Sequence, residues 1–205
     1  TYATDLTGYD RLNVGVNHTL SGTLSTIAGG GTNTAEAGYA AVGGGLQNTN
    51  VSTYGVIAGG SENYVNGEGS FVGGGVQNRI NGESYYNTIG GGVMNTVSGL
   101  NSTIAGGSQN TIEGEDSFVG GGAFNFISAQ IIGGTISGGN GNVVDNSMAT
   151  VPGGQQAAAK NFGQMAYASG AFSAAGDAQT SVHVFRGSTT DSSLTELGLS
   201  GNTGN

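Results

Sequence analysis

The stretch IAGGSQNTIEG, from Ile104 to Gly114, decides how the whole chain is read. It opens on an apolar residue, breaks on two glycines, meets an asparagine six residues after its start and reaches a second apolar residue eight after it. The same frame appears as IAGGSENYVNG from Ile57, VGGGVQNRING from Val72 and IGGGVMNTVSG from Ile89. Its leading apolar residue recurs at Ile27, Val42, Ile57, Val72, Ile89, Ile104, Val119, Ile136 and Val151, at spacings of 15 or 17 residues. The second recurs at Val65, Ile80, Val97, Ile112, Ile127 and Val144. A period this short and strict predicts a solenoid in which each repeat is one coil stacked on its neighbours.

Within one coil, Ser102 to Ala105 is a β-prone run that Gly106 and Gly107 break. Asn110 to Glu113 is a second such run, ended by Gly114. Each coil is therefore expected to hold two short strands and two turns, with glycine supplying positive φ at the turns. Both apolar sites face inward, so Ile57, Val72, Ile89, Ile104 and Val119 are the expected core stack. Asparagine recurs at Asn33, Asn48, Asn63, Asn78, Asn95, Asn110, Asn125 and Asn142. Turns use asparagine amides to bond backbone, so this row reads as a structural ladder in preference to a row of sugar-binding amides.

Composition narrows the function classes. The 205 residues include 43 glycines, one proline, no cysteine and no tryptophan. Collagen is excluded because no Gly-X-Y period exists, and disorder is disfavoured because the apolar residues recur in register. A net charge of -9 with only four Lys and Arg argues against nucleic-acid binding. No apolar run approaches the roughly 20 residues of a membrane span, so no membrane insertion is expected. The start at Thr1 points to a processed N-terminus. Two small apolar residues per coil bury little by themselves, which predicts an intertwined or side-by-side homotrimer.

Three regions follow. Residues 1–11 lie outside the frame and read as an arm or a solenoid cap. Residues 12–176 carry the repeats, with a shift toward alanine after Pro152. Residues 177–205 start a β-rich C-terminal module, in which Val182 and Val184 alternate before a turn at Arg186-Gly187.

Candidate chemistry is sparse. His18 takes the asparagine slot of the first coil and His183 lies far away in the tail, so no histidine metal site or triad is expected. No nucleophile elbow occurs. Glu62, Glu68, Glu83, Glu113, Glu115 and Asp116 sit at turns, with Glu68, Glu83 and Glu115 in nearly equivalent places. They read as a solvated acidic edge that discourages aggregation; the sharper alternative is a glycosidase acid pair. The run from Gly138 to Val144 partly mimics a calcium-binding nonapeptide but has Asn where Asp is needed. No catalytic residue, metal or cofactor is thus expected. Phe71 and Phe118 occupy matching slots suited to packing between subunits. Tyr85 and Tyr86 lie in a 17-residue repeat and are the candidate receptor-binding residues.

The repeat resembles the head of trimeric autotransporter adhesins and the related glycine-rich repeats of phage tail fibres and tailspikes, over residues 12 to 176. The segment from Ala166 to Gly170, with Ser173 to Asp177, is closest to the adhesin pattern. The central coils, with their triple glycines and asparagine, are more similar to the phage variety. The tail from Gly176 to Leu197 resembles a module that follows such rolls in phage fibres, though there it continues for longer. The resemblance implies an all-β, left-handed parallel β-roll in a homotrimer. It also implies a non-enzymatic structural or receptor-binding part of a phage virion, in contact with other virion proteins and host surface glycan. The alternatives are a capsid decoration or cement trimer, a bacterial surface adhesin head, and a glycan depolymerase.

Overall fold

The computed structural model describes residues 12–82 and 84–183. The expected N-terminal arm, Glu83 and the module from residue 184 onward lie outside the described residues. The described chain is an all-β parallel solenoid of about 10 turns without helices. Counting from Leu12, each coil contributes one two-residue strand to each of two parallel sheets. One sheet runs through Thr88–Ile89, Thr103–Ile104 and Phe118–Val119, the other through Thr96–Val97, Thr111–Ile112 and Phe126–Ile127. Like residues pair with like, as in Ile89↔Ile104↔Val119 and Val97↔Ile112↔Ile127.

The alternation of a strand explains the core. In Thr103–Ile104 the threonine faces out and the isoleucine is fully buried. Its β-branched neighbours above and below suit a pleated, stacked surface. Ile57, Val72, Ile89, Ile104 and Val119 form one inward column, and Val65, Ile80, Val97, Ile112 and Ile127 form the facing one.

A coil has a third bonded side beyond the two strands expected. Single parallel bridges link Val16, Gly31, Leu46, Ser61, Val76, Val93, Ser108, Ala123, Asn140 and Gln155 in one line. The glycines ahead of this line make it possible. Gly107 has φ 93°, and a Cβ there would lie 2.2 Å from the Gly122 carbonyl oxygen of the next coil. Gly106, its neighbour, has open space around it. The second glycine of the pair is therefore the one the bend requires.

Two further columns hold non-glycine residues in the left-handed region. One runs through Gln47, Glu62, Gln77, Met94, Gln109 and Phe124, the other through Leu24, Tyr39, Tyr54, Tyr86, Asn101 and Asp116. Their geometry reverses a hydrogen bond. Strand N–H groups donate forward to the next coil, as Thr103 N does to Ser117 O at 2.9 Å. Corner N–H groups donate backward, as Gln109 N does to Val93 O and Asp116 N to Leu100 O, both at 2.9 Å. Each coil is thus bonded to both neighbours at these two corners, which offsets the cost of positive φ.

Both 17-residue repeats place their two extra residues in the turn after the second strand. The first lies between Ile80 and Tyr85, the second between Ile127 and Ile132. Strand register survives, with Ile80↔Val97 and Ile127↔Val144. Ser84 and Ile131 are buried in the enlarged turns.

The C-terminal end is covered. Met165–Ser169 pairs antiparallel with Gln179–Val182. The Gln179 side chain imitates one more strand: its Oε1 accepts from Ala158 N at 2.8 Å and its Nε2 donates to Ala158 O at 2.9 Å. The first residues of the expected C-terminal module therefore close a sheet edge that would otherwise be open to pairing.

Candidate functional site

The asparagine row is buried throughout, from Asn33 to Asn142. Asn110 shows the pattern. Its Nδ2 donates to Gly106 O at 3.1 Å, to Gly122 O at 3.0 Å and to Asn95 Oδ1 at 3.1 Å. Its Oδ1 accepts the backbone N–H of Asn125 at 3.1 Å and the Asn125 amide at 3.0 Å. Asn63, Asn78 and Asn95 repeat this set; the Asn125 Oδ1 accepts from Asn142 N alone, and the Asn142 Oδ1 accepts from Ala157 N. The amides are consumed inside the wall of the solenoid and present nothing to a sugar. His18 begins the row: Asn33 N donates to its Nδ1 at 3.0 Å, which leaves Nε2 to donate to Val14 O at 3.0 Å.

A second ladder lies at the opposite turn, two residues before the leading apolar site. Asn87 N donates to Ser70 Oγ, Ser102 N to Asn87 Oδ1, Ser117 N to Ser102 Oγ and Gly134 N to Ser117 Oγ, at 2.7 to 3.1 Å. The sequence reading missed it because serine, asparagine, glycine and alanine alternate there. The signal was the recurrence of Ser25, Ser70, Ser102 and Ser117 two positions ahead of an apolar residue. Asn50, in an apolar slot, mends a gap in this ladder. It donates to Gly55 O at 2.7 Å, and a Cβ at Gly55 would lie 2.6 Å from its Oδ1.

The outer surface sorts by face. Outward residues of the first-strand sheet are Leu12, Thr26, Ala41, Val56, Phe71, Thr88, Thr103, Phe118, Thr135, Thr150 and Met165, and those from Thr26 to Thr150 are followed two positions on by alanine, glycine, serine or proline. No described residue on this face is charged. Phe71 and Phe118 lie flat on it, each with Cε1 3.3 Å from where a Cβ of Gly73 or Gly120 would be. The ring takes the space the glycine leaves. The second-strand face carries Glu36, Arg79, Glu113, Asp145 and Lys160, all exposed. Arg79 sits over the Tyr64 ring at 4.2 Å.

Tyr85 and Tyr86 are exposed, at 45% and 67%, on the corner that follows the second strand. They are not alone. Tyr39 and Tyr54 occupy the same corner of earlier coils and stack with centroids 4.9 Å apart and planes 16° apart. Gly69 stands in that column between Tyr54 and Tyr86, and a Cβ on it would lie 2.9 Å from the Tyr86 ring.

Among the described residues, Glu68 and Glu115 do not converge. Glu68 and Glu115 share a column but lie three coils apart, about 14 Å at 4.8 Å per coil. That exceeds the separation of glycosidase acid pairs. The residue level with Glu68 in the next coil is Tyr85, since Tyr86 N donates to Glu68 O. Glu62 bonds the Gln77 amide at 2.8 Å, and Asp116 bonds that of Asn101 at 3.1 Å. A shallow hollow lined by Ser169, Gly170, Ala171, Phe172 and Ala178 holds no acid or base. Among the described residues no group of three or more His, Asp or Glu could hold a metal. Asp177 accepts from Phe172, Ser173 and Ala174 N at 2.6 to 2.9 Å. These backbone bonds, from Ala174 above all, hold its carboxyl below the usual aspartate range.

No protein-family model matches the chain, and no curated protein matches it.

Proposed function

We propose that the chain is a non-enzymatic rod subunit of a phage virion, a tail fibre or tailspike part that assembles as a homotrimer and serves as spacer and receptor-binding element. The uncharged first-strand face carries this reading. A chain of net charge -9 repels its copies, and this face runs the length of the solenoid without a charged side chain among its described residues. Stacked coils give it a length of about 48 Å for about 10 turns at 4.8 Å each. From Thr26 to Thr150 its residues are small or β-branched apart from two phenylalanines that lie flat, so three copies can approach closely about a common axis. The resemblance of the triple-glycine coils to phage fibre repeats supports the virion assignment. Imaging of intact phage particles with a gold-labelled antibody to this chain tests it. Label on a tail projection is the expected result; label on the capsid shell or on the bacterial envelope overturns it.

A further inference from the structure

We propose that Asn81-Gly82 is a self-modification site, where the folded chain closes a succinimide ring, releases ammonia and is left with aspartate or isoaspartate at position 81. The inference goes beyond the reading above and does not depend on how copies assemble, since the pair follows the strand Arg79–Ile80 on the charged side. The chain holds three Asn-Gly pairs, beginning at Asn66, Asn81 and Asn140. A following glycine hinders ring closure least, so the sequence alone makes the three equivalent. The fold separates them.

In the first step the backbone nitrogen of Gly82 attacks Cγ of the Asn81 side chain. A Cγ–N bond forms, the Gly82 N–H proton is lost and negative charge passes through Oδ1. The Cγ–Nδ2 bond then breaks, and Nδ2 takes up a proton and leaves as ammonia. Water opens the ring at either carbonyl, giving aspartate in the normal chain or isoaspartate with the chain running through the side chain. The sum is a water consumed, an ammonia released and a negative charge gained. Three neighbours favour these steps. Arg79 Nε donates to Asn81 Oδ1 at 2.5 Å, which sets a cation where the charge develops. The guanidinium is held there by the Tyr64 ring, whose centroid lies 4.2 Å from Arg79 Cζ. Asn81 Nδ2 donates to Ser98 Oγ at 2.8 Å, so a hydroxyl stands ready to return a proton to the leaving nitrogen. Ser84 Oγ donates to the Asn81 carbonyl oxygen, which gathers charge as Gly82 N loses its proton.

The other two pairs lack this arrangement. Among the described residues Gly82 N makes no hydrogen bond and is free to attack, whereas Gly141 N is committed to Ala123 O at 2.9 Å. Gly82 also has room to turn, because a Cβ there would approach only the exposed Asn66 side chain. Gly67 is buried, with the Ser84 carbonyl oxygen 2.3 Å from where its Cβ would be, and its own carbonyl accepts from Ser52 Oγ and Ser70 N. Among the described residues no side chain donates to the amide oxygen of Asn66 or Asn140. The product suits its surroundings too, since the new carboxylate meets Arg79 on a face that already carries Glu113 and Asp145.

The full chain is aged in mildly alkaline buffer at physiological temperature, both native and in denaturant, while peptide mapping by mass spectrometry follows the three pairs. In the denatured chain they should convert at rates within about threefold of one another. In the native chain Asn81 should convert at least about tenfold faster than Asn66 and Asn140, and faster than it does unfolded. Hydroxylamine added to the native chain should cut it after Asn81, and Asn81→Gln should remove that cut. Arg79→Gln should slow the Asn81 reaction about tenfold. Were Arg79 only a brace for the turn, its loss would loosen the segment and speed conversion, so the direction of the change separates the two roles. Thermal melts verify that this variant keeps the fold; should it unfold, the native-to-denatured ratio in the parent decides. The proposal is overturned if Asn66 or Asn140 converts as fast as Asn81 in the native chain, or if folding slows Asn81. A folded Arg79→Gln chain that reacts as fast as the parent, or faster, overturns it too.

Discussion

A left-handed corner turns one peptide N–H back toward the preceding coil, and single residues therefore carry a large share of this fold. Gln109 and Asp116 accept an unfavourable φ because each gains a bond to the coil before it. Glycine is indispensable only where a side chain has no room. Gly107→Ala would set a methyl group 2.2 Å from the Gly122 carbonyl at positive φ, whereas Gly106→Ala meets open space. We expect Gly107→Ala to lower stability by at least about 2 kcal/mol and Gly106→Ala to leave it within about 0.5 kcal/mol, measured by denaturant unfolding. The paired glycines look alike in the sequence, and only the stacking distance separates their roles. Asp177 supplies a pH-dependent case. Its folded pKa is lowered, so its contribution is present above the unfolded pKa and is lost as pH falls through the folded one. The amide protons of Phe172, Ser173 and Ala174 should shift together in NMR spectra with a midpoint below the ordinary aspartate range. In Asp177→Asn that transition should vanish.

At the scale of the coil, two strands of two residues are held less by their own pairing than by buried amides and hydroxyls at the turns. Replacing Asn110 by alanine would strand the Gly106 carbonyl and the Asn125 N–H, and would leave the Gly122 carbonyl and the Asn95 amide oxygen with one donor each, from Ser108 N and Asn110 N. Each unsatisfied buried group costs about 1–3 kcal/mol, so Asn110→Ala should cost about 3 kcal/mol or more in denaturant unfolding. Asn110→Asp should cost more still, because it turns a carboxylate toward three acceptors. A loss under about 1 kcal/mol would show that neighbouring coils hold without the ladder. This row was legible because one residue type fills one slot coil after coil. The serine and Asn87 ladder was not, because hydroxyl, amide and glycine can each complete the same turn. The inward columns were equally legible from Ile89 to Val119, where alternation and period agree. The third bonded line through Val76, Val93 and Ser108 was hidden, since its residues share no character and only the backbone is used. The tyrosine corner was half seen: Tyr85 and Tyr86 adjoin in sequence, but Tyr39 and Tyr54 join them only when coils stack.

For the whole molecule, the proposed trimer gives association to the uncharged face and leaves solubility to the charged one. Exposed Glu36, Arg79, Glu113, Asp145 and Lys160 keep one side solvated, while the side of Thr88, Thr103 and Phe118 is free to meet another copy. The central claim is that the rod assembles through that side. Sedimentation velocity of the purified chain, beside Thr103→Glu on the uncharged face and Thr111→Glu on the charged one, tests it most directly. Both threonines are outward first residues of equivalent strands, so the two variants strain the coil alike. The parent and Thr111→Glu should sediment at three times the 20.1 kDa chain mass, and Thr103→Glu should fall to the monomer, because three carboxylates would be brought together at the axis. A folded monomeric parent, or a Thr103→Glu chain that stays trimeric, would contradict the account.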